Sequence, residues 1–173
     1  MTADDQYPDR QLTNFTSKLH GKKFFSKIDF LKGYHQIPVA NEDVPKTAVI
    51  TPFFPQTPFG LKNADQDFQR LMDEILRDIP RVFVYIDDIL VASNTLVQHL
   101  QDLDLVFKTL SANGMVVQRP KCVLGKPSLE FLGYQVDTSG ISPLKDRVTA
   151  IEQQTPPTTI KELKRFLGMV GYY

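Results

Sequence analysis

The stretch VFVYIDDILVAS, Val82 to Ser93, sets two adjacent carboxylates, Asp87 and Asp88, inside the most apolar run of the chain. Burying one unpaired carboxylate is costly, and burying two neighbours is worse, because each opposes the ionisation of the other. The flanks RVFVY and ILVAS read as strands. Only IDD separates them, and a link that short makes a β-hairpin. Asp-Asp at a tight turn is ordinary in itself, since Asp suits turns. A hairpin tip that projects into water is usually bordered by polar residues, whereas this one is apolar on both sides.

Outward from the hairpin, the periodicity changes. In NADQDFQRLMDEILRDIP, residues Phe68, Leu71, Met72, Ile75, Leu76 and Ile79 recur with helical spacing, with Asn63 as a cap and Pro80 as the stop. In TLVQHLQDLDLVFKTLSANG, the residues Leu96, Leu100, Leu103, Phe107 and Leu110 define a second helical stripe, closed by Asn113-Gly114. MVVQ reads as a strand after it. SLEFLGYQVDTSGIS reads as a further hairpin turned by Asp137 to Gly140, and Ser142-Pro143 as N-cap and first residue of a short helix. Thr159 and Glu162 have capping-box spacing at the head of a last helix. Upstream, residues 1–10 read as a loose tail. LTNFTSKLHG puts Leu12, Phe15 and Leu19 on one helical face, and KKFFSKIDF is a strand ending near Asp29. The segment 33–60 carries prolines at 38, 45, 52, 55 and 58, and reads as short extended pieces and turns.

With the loops removed, the central order is strand, helix, strand, strand, helix, strand. That is the ferredoxin-like βαββαβ order of an α+β fold, an antiparallel sheet with its helices on one face. Its first and third strands are antiparallel neighbours at the centre, so the end of the first, Asp29, meets the start of the third, Asp88. Three carboxylates at one sheet edge repel unless neutralised. Their all-oxygen chemistry favours hard cations, Mg²⁺ or Mn²⁺. A pair of such ions, completed by water and substrate phosphates, is the arrangement of nucleotidyl-transfer sites.

Composition bounds the rest. The chain has 173 residues, 42% hydrophobic and 23% charged, which suits one globular domain with an appendage. Twenty basic residues balance twenty acidic ones, so any nucleic-acid surface has to be a local patch. Cys122 is the single cysteine; with no disulfide possible within the chain, a reducing, intracellular and cytoplasmic setting is expected, and the thiol reads as a small buried hydrophobe. The polar N-terminus is unlike a signal peptide, and no apolar run has transmembrane length, so no membrane partner is expected.

At this point YIDD, Tyr85 to Asp88, resembles the Tyr-x-Asp-Asp box of reverse transcriptases, and FFSKIDFLKGYHQIPV resembles the motif with their first catalytic aspartate. KTAVITPF, PFGLKNA, FQRLMDEIL, VYIDDILVAS, LEFLGYQV and TTIKELKRFLGMVGYY follow in the expected order, and the likeness is to gypsy-type long-terminal-repeat retrotransposon polyproteins. The resemblance implies a polymerase palm with partial fingers over 11–142 and the start of a thumb or connection over 143–173. It implies an RNA-directed DNA polymerase that extends a primer 3′-hydroxyl with deoxynucleoside triphosphates on an RNA or DNA template, using two Mg²⁺ ions, for which Mn²⁺ can substitute. Residue by residue, it makes Asp29, Asp87 and Asp88 the catalytic metal-binding triad, with the Phe30 carbonyl as a further metal ligand. Lys32, Gly33, Tyr34, Phe59 and Gly60 become the nucleotide-binding set, with Tyr34 as the aromatic gate against a ribose 2′-hydroxyl. Tyr85 and Ile86 lie near the primer terminus, and Leu132, Gly133 and Tyr134 match the primer grip. Arg119, Lys121 and Lys126 offer a basic strip to phosphate, or simply a solvated loop.

Two departures stand out. The stretch between TPF and PFGL is shorter than in family members, and NAD stands where they have Asn-Ala-Pro, so Asp65 adds negative charge. The thumb is barely begun, the N-terminal fingers are expected to be missing, and other parts of a polyprotein are expected partners. The alternative function is a catalytically inactive remnant acting as a binding or interaction module. An RNA-recognition-type binder fits poorly, because its central strands would carry aromatics rather than carboxylates.

Overall fold

The computed structural model describes residues 19–37 and 63–172. Two sheets and two helices form its layered centre, and two further helices follow. Strands β1 (Phe24–Asp29), β2 (Val82–Tyr85), β3 (Asp88–Ser93) and β4 (Val123–Lys126) make an antiparallel sheet in the order β2-β3-β1-β4. Helices α1 (Ala64–Leu76) and α2 (Leu96–Ala112) connect them. This is the expected α+β, ferredoxin-like order, with β1 and β3 central.

Alternation along β1 sorts its side chains to two faces. Ile28 joins Phe68, Met72 and Leu76 of α1 and Leu103, Val106 and Leu110 of α2 in one core. Phe25 joins Phe83, Leu90, Leu129, Phe131 and Val136 in a second core on the opposite face. That second core is closed by a meander, β5 (Leu129–Phe131), β6 (Tyr134–Asp137) and β7 (Gly140–Pro143). The sequence reading found only the β6–β7 hairpin, turned as expected between Asp137 and Gly140; the short β5 and its two-residue turn at Leu132-Gly133 complete the sheet. Both turn residues have positive φ (49° and 80°), the pattern of a type I′ hairpin. Phe25, Phe68 and Phe131 have no exposed surface. Each contributes about 1.5–3 kcal/mol by leaving water.

Several local readings need correction. Met115–Gln118 is not a strand of the sheet; only Val117 bridges to Phe30, and the fourth strand is Val123–Lys126. On α2, Leu96 and Leu100 are 50% and 58% exposed. The buried face runs instead through His99, Asp102, Leu103, Val106 and Leu110. A polar chain explains that choice. Arg81 Nε and Nη2 donate to Asp102 at 2.9 and 2.7 Å, the Ser93 hydroxyl donates to Asp102 at 2.6 Å, and the His99 ring lies 3.0 Å from Ser93 Oγ and 2.7 Å from Ser26 Oγ. α1 ends at Leu76, ahead of Pro80, and Asn63 stands at its N-cap without a side-chain capping bond. Ser142 and Pro143 finish β7, so helix α3 (Lys145–Glu152) begins later, with Leu144 as its N-cap residue. The capping box at α4 (Ile160–Tyr172) is present: Glu162 N–H donates to Thr159 Oγ1, and Thr159 N–H to the Glu162 carboxylate, both at 3.2 Å. Cys122 is partly exposed rather than fully buried. Residues 1–18 and 38–62, with the expected tail, most of the first helix and most of the proline-rich segment, lie outside the described residues. Among the described residues no helix is long and apolar enough to cross a membrane.

Candidate active site

Asp29 and Asp88 stand opposite each other at the ends of β1 and β3. Lys27 precedes Asp29 by two residues and so shares its face, the face turned to the meander. Its ammonium lies 2.9 Å from Asp88 Oδ1 and 5.9 Å from the centre of the Phe131 ring. Lys121 Nζ reaches Asp29 Oδ1 at 3.9 Å from a mostly exposed position. These groups line an open cleft of about 440 Å³, together with Val123, Glu130, Leu132 and Gly133. The two-residue turn of the meander therefore closes over the aspartates of the central sheet.

Asp87 belongs to the β2–β3 turn. Burial pushes its carboxyl above the usual carboxylate range, and the charges of Asp88 and then Asp29 push it the same way. Asp87 therefore senses both of the other aspartates. Ile86 precedes it with φ 51°, a strained conformation for a β-branched residue. The turn is anchored from α1: the Ile86 N–H donates to Gln69 Oε1 at 2.8 Å, while Gln69 Nε2 donates to the Val84 carbonyl at 3.3 Å and to Asp73 at 2.9 Å. Gly33 faces the same turn. A Cβ there would stand 3.1 Å from the Phe68 ring and 3.4 Å from the Asp87 Cβ, so glycine permits the close approach. Gly33 opens a short 3-10 helix, Gly33–Gln36, behind Lys32 at φ 52°. Gln36 holds it, accepting from the Val116 N–H at 2.6 Å and donating to the Leu31 and Val116 carbonyls.

The other anticipated positions fall as follows. Phe30 is buried, with its ring edge-on to Phe68, and the two hydrogen bonds flanking its bridge use Asp29 O and Leu31 N, not its own carbonyl. Tyr85 pairs with Asp88 across β2–β3 and packs on the second core. Leu132 and Gly133 reach the cleft; Tyr134, at the start of β6, packs on the second core instead. Tyr34 lies in the 3-10 helix, with its side chain outside the described part of the molecule, and Phe59 and Gly60 lie outside the described residues.

The four-stranded order and the ends of β1 and β3 bring the Tyr-Ile-Asp-Asp turn to the FSKID strand, which is the spatial counterpart of the sequence motifs. A family model described as reverse transcriptase (RNA-dependent DNA polymerase) matches residues 2–136. The chain belongs to the reverse transcriptase family. It is 42% identical, over its whole length, to a retrovirus-related Pol polyprotein from transposon opus of Drosophila melanogaster, and 34% identical over 99% of its length to that from transposon gypsy of the same organism. The chain spans 18% and 17% of those polyproteins, under a fifth of their length. Among solved structures, it is similar to a foamy viral protease-reverse transcriptase in complex with double-stranded DNA (TM-score 0.85, 27% identity, 97% of this chain and 30% of that one). It is likewise similar to a foamy viral protease-reverse transcriptase bound to an RNA/DNA hybrid (TM-score 0.80, 27% identity, 97% and 24%). The gypsy-class resemblance and the palm-type α+β fold read from the sequence are thus borne out.

Around this cleft, the residues the sequence reading missed are Lys27, Gln69, Gln36 and Glu130. Lys27 was within reach, since strand alternation alone sets it beside Asp29. Gln69 had a weaker signal: it is a polar residue sharing the buried stripe of Met72 and Leu76. The hard-oxygen donor set suits a divalent cation. The carboxylates do not form a closed cage, and among the described residues no three His, Cys, Asp or Glu side chains stand where they could hold a metal ion together. Lysines engage two of the three aspartates instead.

Proposed function

We propose that the chain is the palm, with part of the fingers, of an RNA-directed DNA polymerase, and that residues 143–173 begin the thumb or connection. The observation that carries this reading is the pairing of Asp29 with Asp88 at the sheet edge, with Asp87 in the adjoining turn. Asp29 and Asp87 would hold a divalent cation, Mg²⁺ or Mn²⁺, with the Phe30 carbonyl as a further oxygen donor and Asp88 standing beside them. Such ions, when bound, lower the pKa of an attacking primer hydroxyl and steady a leaving pyrophosphate.

This chain's own residues do the positioning. The Leu132-Gly133 turn closes the cleft opposite the aspartates, where a primer terminus would rest. Lys32, Gly33 and Tyr34, with Phe59 and Gly60, would bind the incoming deoxynucleoside triphosphate. The proximity of Gly33 to Asp87 supports that assignment, because it sets the backbone of the loop beside the turn. Tyr85 and Ile86 would border the primer end. The template, RNA or DNA, is the expected macromolecular partner, and other parts of a polyprotein are expected to complete its binding.

The test is primer extension on a homopolymeric RNA template with a DNA primer, in Mg²⁺ and in Mn²⁺, with the Asp87→Asn, Asp88→Asn double variant as control. Extension by the parent alone is the expected result. A folded parent that extends nothing overturns polymerase activity for this chain. The second reading, a catalytically inactive interaction module, would then stand. It draws on the exposed apolar side chains Ile160, Leu163, Leu167 and Val170 along α4.

A further inference from the structure

Lys27 is the group in the cleft that the polymerase reading leaves unexplained. It sits in the middle of β1, opposite Leu90, where a purely structural strand would carry an apolar residue facing the meander. Its stem lies over the second core, and its ammonium is held from two sides, by Asp88 at 2.9 Å and by the face of Phe131 at 5.9 Å. The side chain is 24% exposed and its aspartate partner 20%, so this pair is sheltered from the screening that weakens surface ion pairs. Lys121 differs in kind: it is 60% exposed and 3.9 Å from Asp29. The acidic neighbours sharing the cleft with Lys27 are Asp29, Asp88 and Glu130. Only Asp88 stands at ion-pair distance from it among these.

We infer that Lys27 is a positioning residue that serves as the built-in counter-ion of Asp88, holding this aspartate out of direct coordination and setting how weakly the site takes a divalent cation. The inference rests on the polymerase reading of the aspartates. Two physical consequences follow from it. Lys27 and Asp88 form a nearly neutral unit, so the divalent charge is met chiefly by Asp29 and Asp87. A fixed ammonium in the same cleft would also oppose cation binding by direct repulsion. The pair thereby keeps the cation exchangeable and leaves Asp88 in one orientation beside the cleft.

The experiment is a titration of the full chain with Mn²⁺ alone, followed by the electron paramagnetic resonance signal of the free ion. It compares the parent with Lys27→Met, Lys27→Arg, Asp88→Asn, the Lys27→Met, Asp88→Asn pair, and Asp29→Asn as a control for the site; circular dichroism melts confirm folding. Lys27→Met is expected to tighten Mn²⁺ binding by about tenfold, through the loss of repulsion and the release of Asp88. Lys27→Arg keeps the charge and should stay near the parent. Asp88→Asn should weaken binding, because it leaves the ammonium unmatched. The double variant removes a neutral unit and should return to within about threefold of the parent. A Lys27→Met chain that binds no tighter than the parent, or a double variant as weak as Asp88→Asn alone, overturns the inference and makes Asp88 a direct ligand. The polymerase reading fails differently: neither the parent nor Lys27→Met binds Mn²⁺, or Asp29→Asn leaves binding unchanged, and the inference then falls with it. Should Lys27→Met not fold, Lys27→Gln takes its place with the same expectations.

Discussion

The amide of Ile86 donates a 2.8 Å hydrogen bond to the side-chain oxygen of Gln69, tying the turn of the aspartates to helix α1. The turn needs such a tie. Ile86 holds φ 51°, a left-handed conformation that costs an L-residue about 1–2 kcal/mol, and surrounding structure has to impose it. Gln69→Leu keeps the volume and removes the acceptor. Leaving the Ile86 N–H unsatisfied is expected to lower stability by about 1–3 kcal/mol in urea denaturation. A midpoint equal to the parent's would mean that the hairpin holds its own strain.

Asp87 is a second place where the site works against the fold. Its carboxyl titrates above the usual range because burial, and then Asp88 and Asp29, disfavour its charge. A raised acid pKa in the folded state means that the folded chain binds the proton more tightly than the unfolded one. Stability therefore declines as pH rises from the unfolded carboxylate value through the folded one. Asp87→Asn should accordingly stabilise the chain near neutral pH, by up to about 1 kcal/mol once solvent screening of this half-buried group is allowed for. The gain should shrink towards zero near pH 3. Thermal melts of both chains across that range decide it. A variant less stable than its parent at pH 7 refutes the electrostatic account.

The sheet and the meeting of Asp29 with Asp88 were legible because they follow from element order and strand alternation. Both survive an error of a residue or two. What escaped reading depends on tertiary partners. The stripe Leu96, Leu100, Leu103, Phe107, Leu110 obeys helical spacing, yet the helix turns so as to bury His99 and Asp102, because Ser26 and Ser93 on the sheet and Arg81 just before β2 wait for them. Hydrophobic periodicity has no means of weighing a buried polar side chain that arrives with all its partners. Val123–Lys126 was passed over for a related reason. It is short, exposed at every position and holds a glycine, and it pairs with β1 across an irregular register. There the Gly125 N–H donates 2.8 Å to the hydroxyl of Ser26.

Asp102 provides the third prediction. It is 4% exposed, and burial alone would push its carboxyl up. The hydrogen bonds of Arg81 and Ser93, with the charges of Arg81 and His99, outweigh that and hold it below the usual range. Arg81→Met keeps much of the side-chain length and strips away the bidentate partner. A buried carboxylate left with a single serine donor is expected to destabilise the fold by about 3–5 kcal/mol. Adding Asp102→Asn to Arg81→Met should recover a large part of that loss, since the charge goes too. Urea denaturation of the two variants measures both effects, and an Arg81→Met cost below about 1 kcal/mol would show that Asp102 does not depend on its arginine.

His99 carries the pH dependence that the same chain of hydrogen bonds implies. The Ser93 hydroxyl is committed to Asp102, so Ser93 can only accept from the ring, and the proton sits on Nδ1. Nε2 is then the acceptor for the Ser26 hydroxyl, whose own oxygen accepts from Gly125. The ring has no exposed surface, and burial holds its pKa below the usual histidine value, against the smaller opposing pull of Asp102. A second proton on Nε2 would take away the acceptor that Ser26 uses. In the unfolded chain the imidazole titrates near 6.5, so from there downward the unfolded state takes up a proton that the folded state refuses. The stability supplied by the neutral ring is complete above that value and is lost as pH falls towards the lower, folded pKa. Asp102, whose pKa is depressed, loses its contribution only in the acid range of carboxylates, which separates the two. Urea midpoints for the parent should therefore fall between pH 7.5 and pH 5. In His99→Gln, which starts less stable, the fall over the same interval should be distinctly shallower. Parallel slopes in the two chains would mean that the imidazole is already protonated in the fold, with Nε2 donating to Ser26 rather than accepting from it.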